Sequence, residues 1–374
     1  MNASRRNWRL VAGVVVMLAA LVVVGRMQGG NLPGSNAGLP RATGTTVADA
    51  TPVASGLAVA GRVPLPGPAA AMAVGEGSVW VLLEEGTLLR VDPDRHRVTG
   101  RLELGVPSGG MPMGPWDVRV GPLAVGAGAV WVGTRRGRVT VRVDPVHLRV
   151  TARFGGTAVA VAHGVLWSYC CRRGDKVMGF GRIDARTLHA RPPLVVTDAA
   201  GRRQPVGALA VGTDAVWSLP LEGGRLWRVP LAGGAASALG VAGFPHGLAV
   251  DGGAVWVLSG TGEPGSELDR TGRLRRLDQR TGAVTATTPL PEVDVGRVNV
   301  AVGPAHGDGA VWVAGPYARG SQGGGILLRV DSVSGRVAGW LRDPRSSFQG
   351  VLADGPRGAW AATAAPVLLH VVAA

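Results

Sequence analysis

Seven polar or aromatic residues are the strongest candidates in this chain for binding a ligand. His246 lies in the segment FPHGLAVDGGAVWV and Gln349 in FQGVLADGPRGAW, and each precedes a similar run of β-forming residues. Most comparable segments of the chain carry Ala, Gly or Thr at that place. Imidazole, amide, guanidinium and carboxylate groups gathered in one cleft can bind a polar ligand. An equally open interpretation is that His246 serves only the structure. The predicted ligand-binding residues are His246, Gln349, Asn299, Arg297, Trp116, Asp117 and Arg119.

No convergent catalytic set accompanies these residues in the sequence. There is no G-x-S-x-G nucleophile motif, and no His-x-Glu motif or paired carboxylate stands beside His246. The Gly-x-Gly segments precede predicted strands, whereas phosphate-binding loops open helices. The histidines are scattered through turns without the spacing of metal ligands. We therefore predict no metal and no cofactor.

The two cysteines of the chain are adjacent, at Cys170 and Cys171. Side chains of neighbouring residues diverge along a strand, so such a pair seldom meets disulfide geometry. A vicinal disulfide, an intermolecular bond and two buried thiols all remain open at this point.

A repeated unit supplies the elements that must position these residues. A tryptophan, usually preceded by valine, returns seven times at separations of 36 to 56 residues, close to the spacing of propeller blades. Residues 123–156 contain four short β-rich runs separated by Gly or Asp-Pro turns, and residues 72–105 repeat the pattern. The chain is therefore predicted to be all-β, a seven-bladed β-propeller of four-stranded antiparallel blades over residues 57–374.

The repeat also predicts how the ring is packed and closed. The last unit stops after its third strand, and residues 59–67 (VAGRVPLPG) resemble residues 98–105 (VTGRLELG). A strand at residues 59–66 is thus expected to complete the seventh blade, which leaves no unpaired edge in the ring. Acids that end the third strands are expected to accept hydrogen bonds from turn amides. The predicted core tryptophans are Trp80, Trp131, Trp167, Trp217, Trp256, Trp312 and Trp360.

The G-x-G-x-V-W-V and R-x-D-P patterns of residues 57–374 resemble the YVTN-type and streptogramin-lyase-like propellers. The resemblance implies the fold more strongly than an activity, because such propellers include enzymes, sensors and binding scaffolds. Streptogramin lyases use histidine and glutamate groups with a divalent metal. Of these groups, only His246 has a comparable place in the repeat. A lyase or hydrolase at the channel mouth, with His246 as base, is the alternative function.

The amino terminus predicts attachment to a membrane. Residues 10–25 form an unbroken apolar run with three arginines before it and one after it, so residues 1–28 read as a cytoplasmic stub and a transmembrane signal anchor. Cleavage of this segment would instead release a secreted protein. Residues 29–56 are rich in Gly, Pro, Ala and Thr, which predicts a flexible linker. The propeller is then extracytoplasmic.

Charge and loop lengths suggest what the propeller binds. The net charge is +14, yet no basic run is interleaved with aromatic residues, so we expect no nucleic-acid partner. In each meander, connections between the second and third strands share one face of the ring with connections between blades. This long-loop face carries residues 105–121, 168–181, 259–274 and 314–327, whereas the opposite, short-turn face has tight turns. A monomeric binding scaffold for an envelope protein or polymer is the leading interpretation. A third interpretation is that the protein is a spacer or a surface-layer component.

Overall fold

A computed structural model of the chain describes residues 53–104, 123–133, 139–171, 173, 176–220, 225–241, 243–251, 253–260, 271–294, 301–303, 309–316, 324–343, 348–355 and 357–374. They all belong to the second of the chain's two units, Val47–Ala374. The predicted anchor at residues 10–25 lies outside the described residues. Among the described residues, no helix has the length and apolar character needed to cross a membrane.

The described strands form seven antiparallel sheets, the blades of the predicted propeller. Two amino-terminal strands come first, β1 (Val53–Ser55) and β2 (Leu57–Pro64). Blade 1 contains β3 (Ala69–Gly75), β4 (Ser78–Leu83), β5 (Thr87–Asp92) and β6 (Arg97–Glu103). Blade 2 contains β7 (Leu123–Gly126), β8 (Ala129–Gly133), β9 (Val139–Asp144) and β10 (Arg149–Gly155). Blade 3 contains β11 (Ala158–Ala162), β12 (Val165–Cys170), β13 (Gly179–Asp184) and β14 (Ala190–Val195).

The remaining blades repeat this order. Blade 4 contains β15 (Ala208–Val211), β16 (Ala215–Leu219), β17 (Arg225–Pro230) and β18 (Ser237–Gly240). Blade 5 contains β19 (Phe244–Val250), β20 (Ala254–Gly260), β21 (Thr271–Asp278) and β22 (Val284–Asp294). Blade 6 contains β23 (Ala301–Gly303), β24 (Ala310–Pro316), β25 (Gly325–Asp331) and β26 (Val337–Asp343). Blade 7 contains β27 (Phe348–Gly355), β28 (Gly358–Thr363) and β29 (Val367–Ala373).

Burial within a blade follows the position of each strand. The second strands are buried along almost their whole length, because both of their faces pack against neighbouring blades. The fourth strand β10 alternates between exposed and half-buried residues, since it lies at the outer edge of its sheet. The apolar core is therefore distributed between the blades.

The tryptophan of each second strand forms the centre of this packing. The seven predicted core tryptophans are all at most 2% exposed. In blades 1 to 6 each one pairs across the sheet with an arginine of the third strand. Arg90 also joins blades 1 and 2, because its Nη1 donates to the carbonyl oxygens of Pro145 and Val146 at 3.1 and 3.2 Å. In blade 7 the partner of Trp360 is instead His370.

The acids that end the third strands close the turns that follow, as the sequence predicts. Asp144 Oδ1 accepts hydrogen bonds from the backbone amides of Val146 and His147 at 2.8 and 3.1 Å. The His147 amide and then its imidazole hold the pKa of Asp144 down at about 2. The same pair of amide bonds forms at Asp92, Asp184, Asp278 and Asp331.

The amino-terminal strands join the last two blades. β2 pairs antiparallel with β29, so it supplies the fourth strand of blade 7 at Leu57–Pro64, slightly earlier than residues 59–66. β1 pairs with β26 and gives blade 6 a fifth strand, which the repeat does not predict. Residues 53–56 are therefore part of the propeller, and the predicted linker at residues 29–56 is wrong at this end. Gly56 has a φ of 67° where the chain passes between the two blades, and a Cβ there would meet Ala338 O at 2.7 Å.

Candidate functional site

Two of the seven predicted ligand-binding residues lie in described strands. His246 occupies a bulge of β19, between the pairs Pro245–Ser259 and Gly247–Leu258. Gln349 lies in an irregular part of β27, between the pairs Phe348–Thr363 and Leu352–Ala361. Both are near the start of the first strand of their blade, at the end that belongs to the long-loop face.

The other five predicted ligand-binding residues fall outside the described residues. They are Asn299, Arg297, Trp116, Asp117 and Arg119. The described structure therefore brings together no pocket from these seven residues, and the predicted pocket stays a prediction.

The end of blade 5 on the long-loop face carries a charged group that is not among the seven predicted ligand-binding residues. Arg275, in β21, is only 8% exposed, and its Nη1 donates a hydrogen bond to Ser259 Oγ on β20. Burial holds the pKa of Arg275 below its usual value, and the positive charge of Arg273 lowers it further. Because Ser259 pairs with Pro245, this polar cluster lies beside the bulge that contains His246.

The packing around Arg275 is apolar. Its cross-strand partner Val257 belongs to a cluster with Leu277 and with Trp217 and Leu219 of blade 4. Alternation along a strand places Arg275 on the same side of β21 as Leu277. The guanidinium group therefore stands at the long-loop end of the apolar interface between blades 4 and 5.

Blade 3 carries the two cysteines on the same face of the ring. Cys170 ends β12, and Cys171 follows it with a φ of 61°. The structure joins them as a vicinal disulfide and leaves no free cysteine among the described residues. Beside them, Tyr169 donates a hydrogen bond from its hydroxyl to Gly207 O at 2.8 Å, and burial raises the pKa of this phenol.

A groove of about 460 Å³ lies between blades 1 and 2 on the short-turn face. Glu76, Asp92, Asp94 and Arg90 contribute its charged groups. Glu76 Oε1 accepts a hydrogen bond from the Gly128 amide at 2.9 Å, and Asp92 closes its own turn. Glu76 and Arg90 therefore join the two blades, whereas Asp94 pairs with Arg357 of blade 7.

Metal ligands do not gather in the described part of the chain. No group of three or more His, Cys, Asp or Glu side chains there is placed to hold a metal ion.

Comparisons with known proteins identify the fold. No family model matches the chain, and no curated protein matches it either. Among solved structures, it is similar to the WD40 domain of Neurospora crassa Pan2, with 9% identity and a TM-score of 0.57 over 85% of this chain and 95% of that one. It is also similar to the WD40 repeats of RRP9, with 10% identity and a TM-score of 0.60 over 85% of this chain and 100% of that one. These likenesses confirm a seven-bladed propeller, whereas the finer resemblance to YVTN-type and streptogramin-lyase-like propellers stays a resemblance.

Proposed function

We propose that this chain is a membrane-tethered, extracytoplasmic propeller that binds an envelope protein or polymer through its long-loop face, without catalysis. The ring is the rigid scaffold, and the connections on that face supply the contacts. The tether at residues 10–25 keeps the propeller at the membrane surface.

The unequal length of the connections on the two faces carries this proposal. On the short-turn face, two residues join β3 to β4, β7 to β8 and β11 to β12. On the long-loop face, residues 104–122, 171–178, 196–207 and 261–270 join successive strands. Binding residues concentrate on loops that a rigid scaffold positions, and tight turns offer little surface of this kind.

Replacement of two long loops tests the binding role. Gly-Ser segments of equal length would replace residues 171–178 and 261–270 in the full-length protein, and partners would be captured from solubilised cell envelope. We expect both replacements to abolish capture of a specific partner. Ala127→Gly, which makes the short turn 127–128 Gly-Gly, is the control on the opposite face and should leave capture intact. Retention of every partner by both loop variants would contradict the proposal.

Cell fractionation tests the tether separately. Deletion of residues 10–25 should move the protein out of the membrane fraction, because no other segment of the sequence has a comparable apolar run. Protease added outside intact cells should degrade the propeller only if it is extracytoplasmic. Protection of the propeller would contradict the proposed orientation.

The alternative enzyme function is tested at His246. A lyase or hydrolase of this kind needs a base and a metal-held electrophile. Turnover that requires a divalent metal and is lost in His246→Ala would replace the binding proposal with the enzymatic one.

A further inference from the structure

Arg275 occupies a position that, in the other blades, carries a residue packed against a neighbouring blade. The residue before the third-strand Arg or His is Leu89, Val141, Gly181, Trp227, Leu328 and Leu369 in the other six blades. These residues are apolar or lack a side chain, because the position faces a neighbouring blade. Blade 5 alone places a guanidinium group there. Packing between blades does not require a charged group at this position, so the presence of Arg275 must have another cause.

The buried guanidinium has no counter-charge among the described residues. Its hydrogen bond goes to the neutral hydroxyl of Ser259, and the charge that shifts its pKa is that of Arg273, which is also positive. A buried charge is strongly unfavourable unless a charged or well-placed polar partner compensates it. Arg275 presents further N–H donors in a planar fork that matches the oxygens of carboxylate and phosphate groups.

We propose that Arg275, with Ser259 and Arg273, forms a binding site for a small oxyanion, a carboxylate or phosphate group, at the long-loop end of the interface between blades 4 and 5. The guanidinium fork of Arg275 holds the anion, Ser259 orients that fork, and the exposed Arg273 adds a second positive charge. The site does not depend on the membrane tether or on an envelope partner, since purified protein and inorganic anions suffice to test it.

Thermal unfolding of the full-length protein in detergent, followed by tryptophan fluorescence, measures the binding. The probes are phosphate, sulfate and acetate at low-millimolar concentrations, each compared with chloride at equal ionic strength. We expect a saturable rise of about 2–4 °C in Tm with at least one of them. The anion that gives the larger rise distinguishes a phosphate-like from a carboxylate ligand.

Two variants separate this site from general salt effects. Arg275→Leu installs the residue found at this position in blades 1, 6 and 7, so it should fold. It should abolish the saturable rise and also increase Tm in chloride alone, because the uncompensated charge is gone. Arg225→Leu removes an exposed arginine at the register of Arg273 in blade 4, and it should keep the rise.

Several outcomes would overturn the proposal. A wild-type protein that no anion stabilises, or an Arg275→Leu variant that keeps the rise, would exclude the site. A lower Tm of Arg275→Leu in chloride would mean that Arg275 already has a stabilising partner within the chain. This result would also exclude the anion site.

Discussion

Acid should weaken the seam where the ring closes, because a histidine replaces the arginine of the repeat there. His370 of β29 stacks on Trp360, with ring centroids 4.4 Å apart and planes at 2°. Its Nδ1 lies 2.9 Å from Nε2 of His96, which reaches across from the turn between β5 and β6 in blade 1. The charged groups nearby are Asp94 and Arg357, which form an exposed ion pair at 2.6 Å. A bond between two imidazoles needs at least one of them neutral, so protonation of both breaks the seam.

The expected loss of stability follows from the pKa of His370. Burial, and then the neighbouring His96, lowers this pKa to about 4, compared with about 6.5 in an unfolded chain. The folded state therefore binds fewer protons than the unfolded state between these values. Its stabilisation is complete above the unfolded pKa and is lost as the pH falls toward the folded pKa. Between pH 7 and pH 5 the free energy of unfolding should fall by about 2 kcal/mol from this residue.

Urea denaturation at several pH values, followed by tryptophan fluorescence, measures this loss. His370→Gln stays neutral throughout, so its stability should fall by about 2 kcal/mol less than that of the wild type over the same range. His189→Gln changes an exposed histidine of blade 3 and should behave as the wild type. Equal losses in the wild type and in His370→Gln would refute the assignment of the acid sensitivity to the seam.

Three further perturbations test the ring and its loops. Trp256→Ala should lower the free energy of unfolding by about 3–5 kcal/mol in urea denaturation, because it empties a fully buried site; an unchanged midpoint would contradict the packing. Gly61→Ala should lower Tm, since its Cβ would stand 2.2 Å from the His96 ring, and Gly240→Ala, with no atom within 4 Å of its Cβ, is the control. Reduction should add two hydrogens to the mass of the monomer if Cys170 and Cys171 are bonded to each other; an unchanged mass would indicate thiols.

The sequence predicts the blades because a propeller applies one packing rule many times. Each Trp must lie between two sheets, and each third-strand Asp must close a turn, so both recur with the blade. Closure is visible for the same reason, since the run around Arg62 resembles that around Arg101 in β6. β1 has no such signature, because Val53–Ser55 joins β26 through backbone groups at a sheet edge. Backbone pairing at a sheet edge places little constraint on residue type. The composition of residues 53–55 therefore resembles that of the linker before them.

The candidate site was harder to predict than the fold. His246 and Gln349 stand out because they begin the segments that precede the second strands of their blades, and both lie near the long-loop ends of their first strands. Whether they meet the other five predicted residues depends on inter-blade connections, whose lengths and residues differ from blade to blade. The sequence does carry a signal for Arg275, because the run LRRLD has an arginine where LLRVD and VRVD have an apolar residue.

Because the blades share one repeat, each position can be compared with its equivalents in the other blades. A position that carries an apolar residue in most of the blades shows what packing between sheets alone requires. Arg275 departs from this pattern by replacing an apolar residue, whereas His370 replaces the arginine found at its position in the other six blades. Both are buried polar groups that need a partner. His370 is hydrogen-bonded to His96 across the interface between the first and last blades. Arg275 has only the hydroxyl of Ser259 among the described residues, which is too weak a partner for a buried positive charge. His370 is therefore a component of ring closure, and Arg275 is the residue that we propose binds an anion.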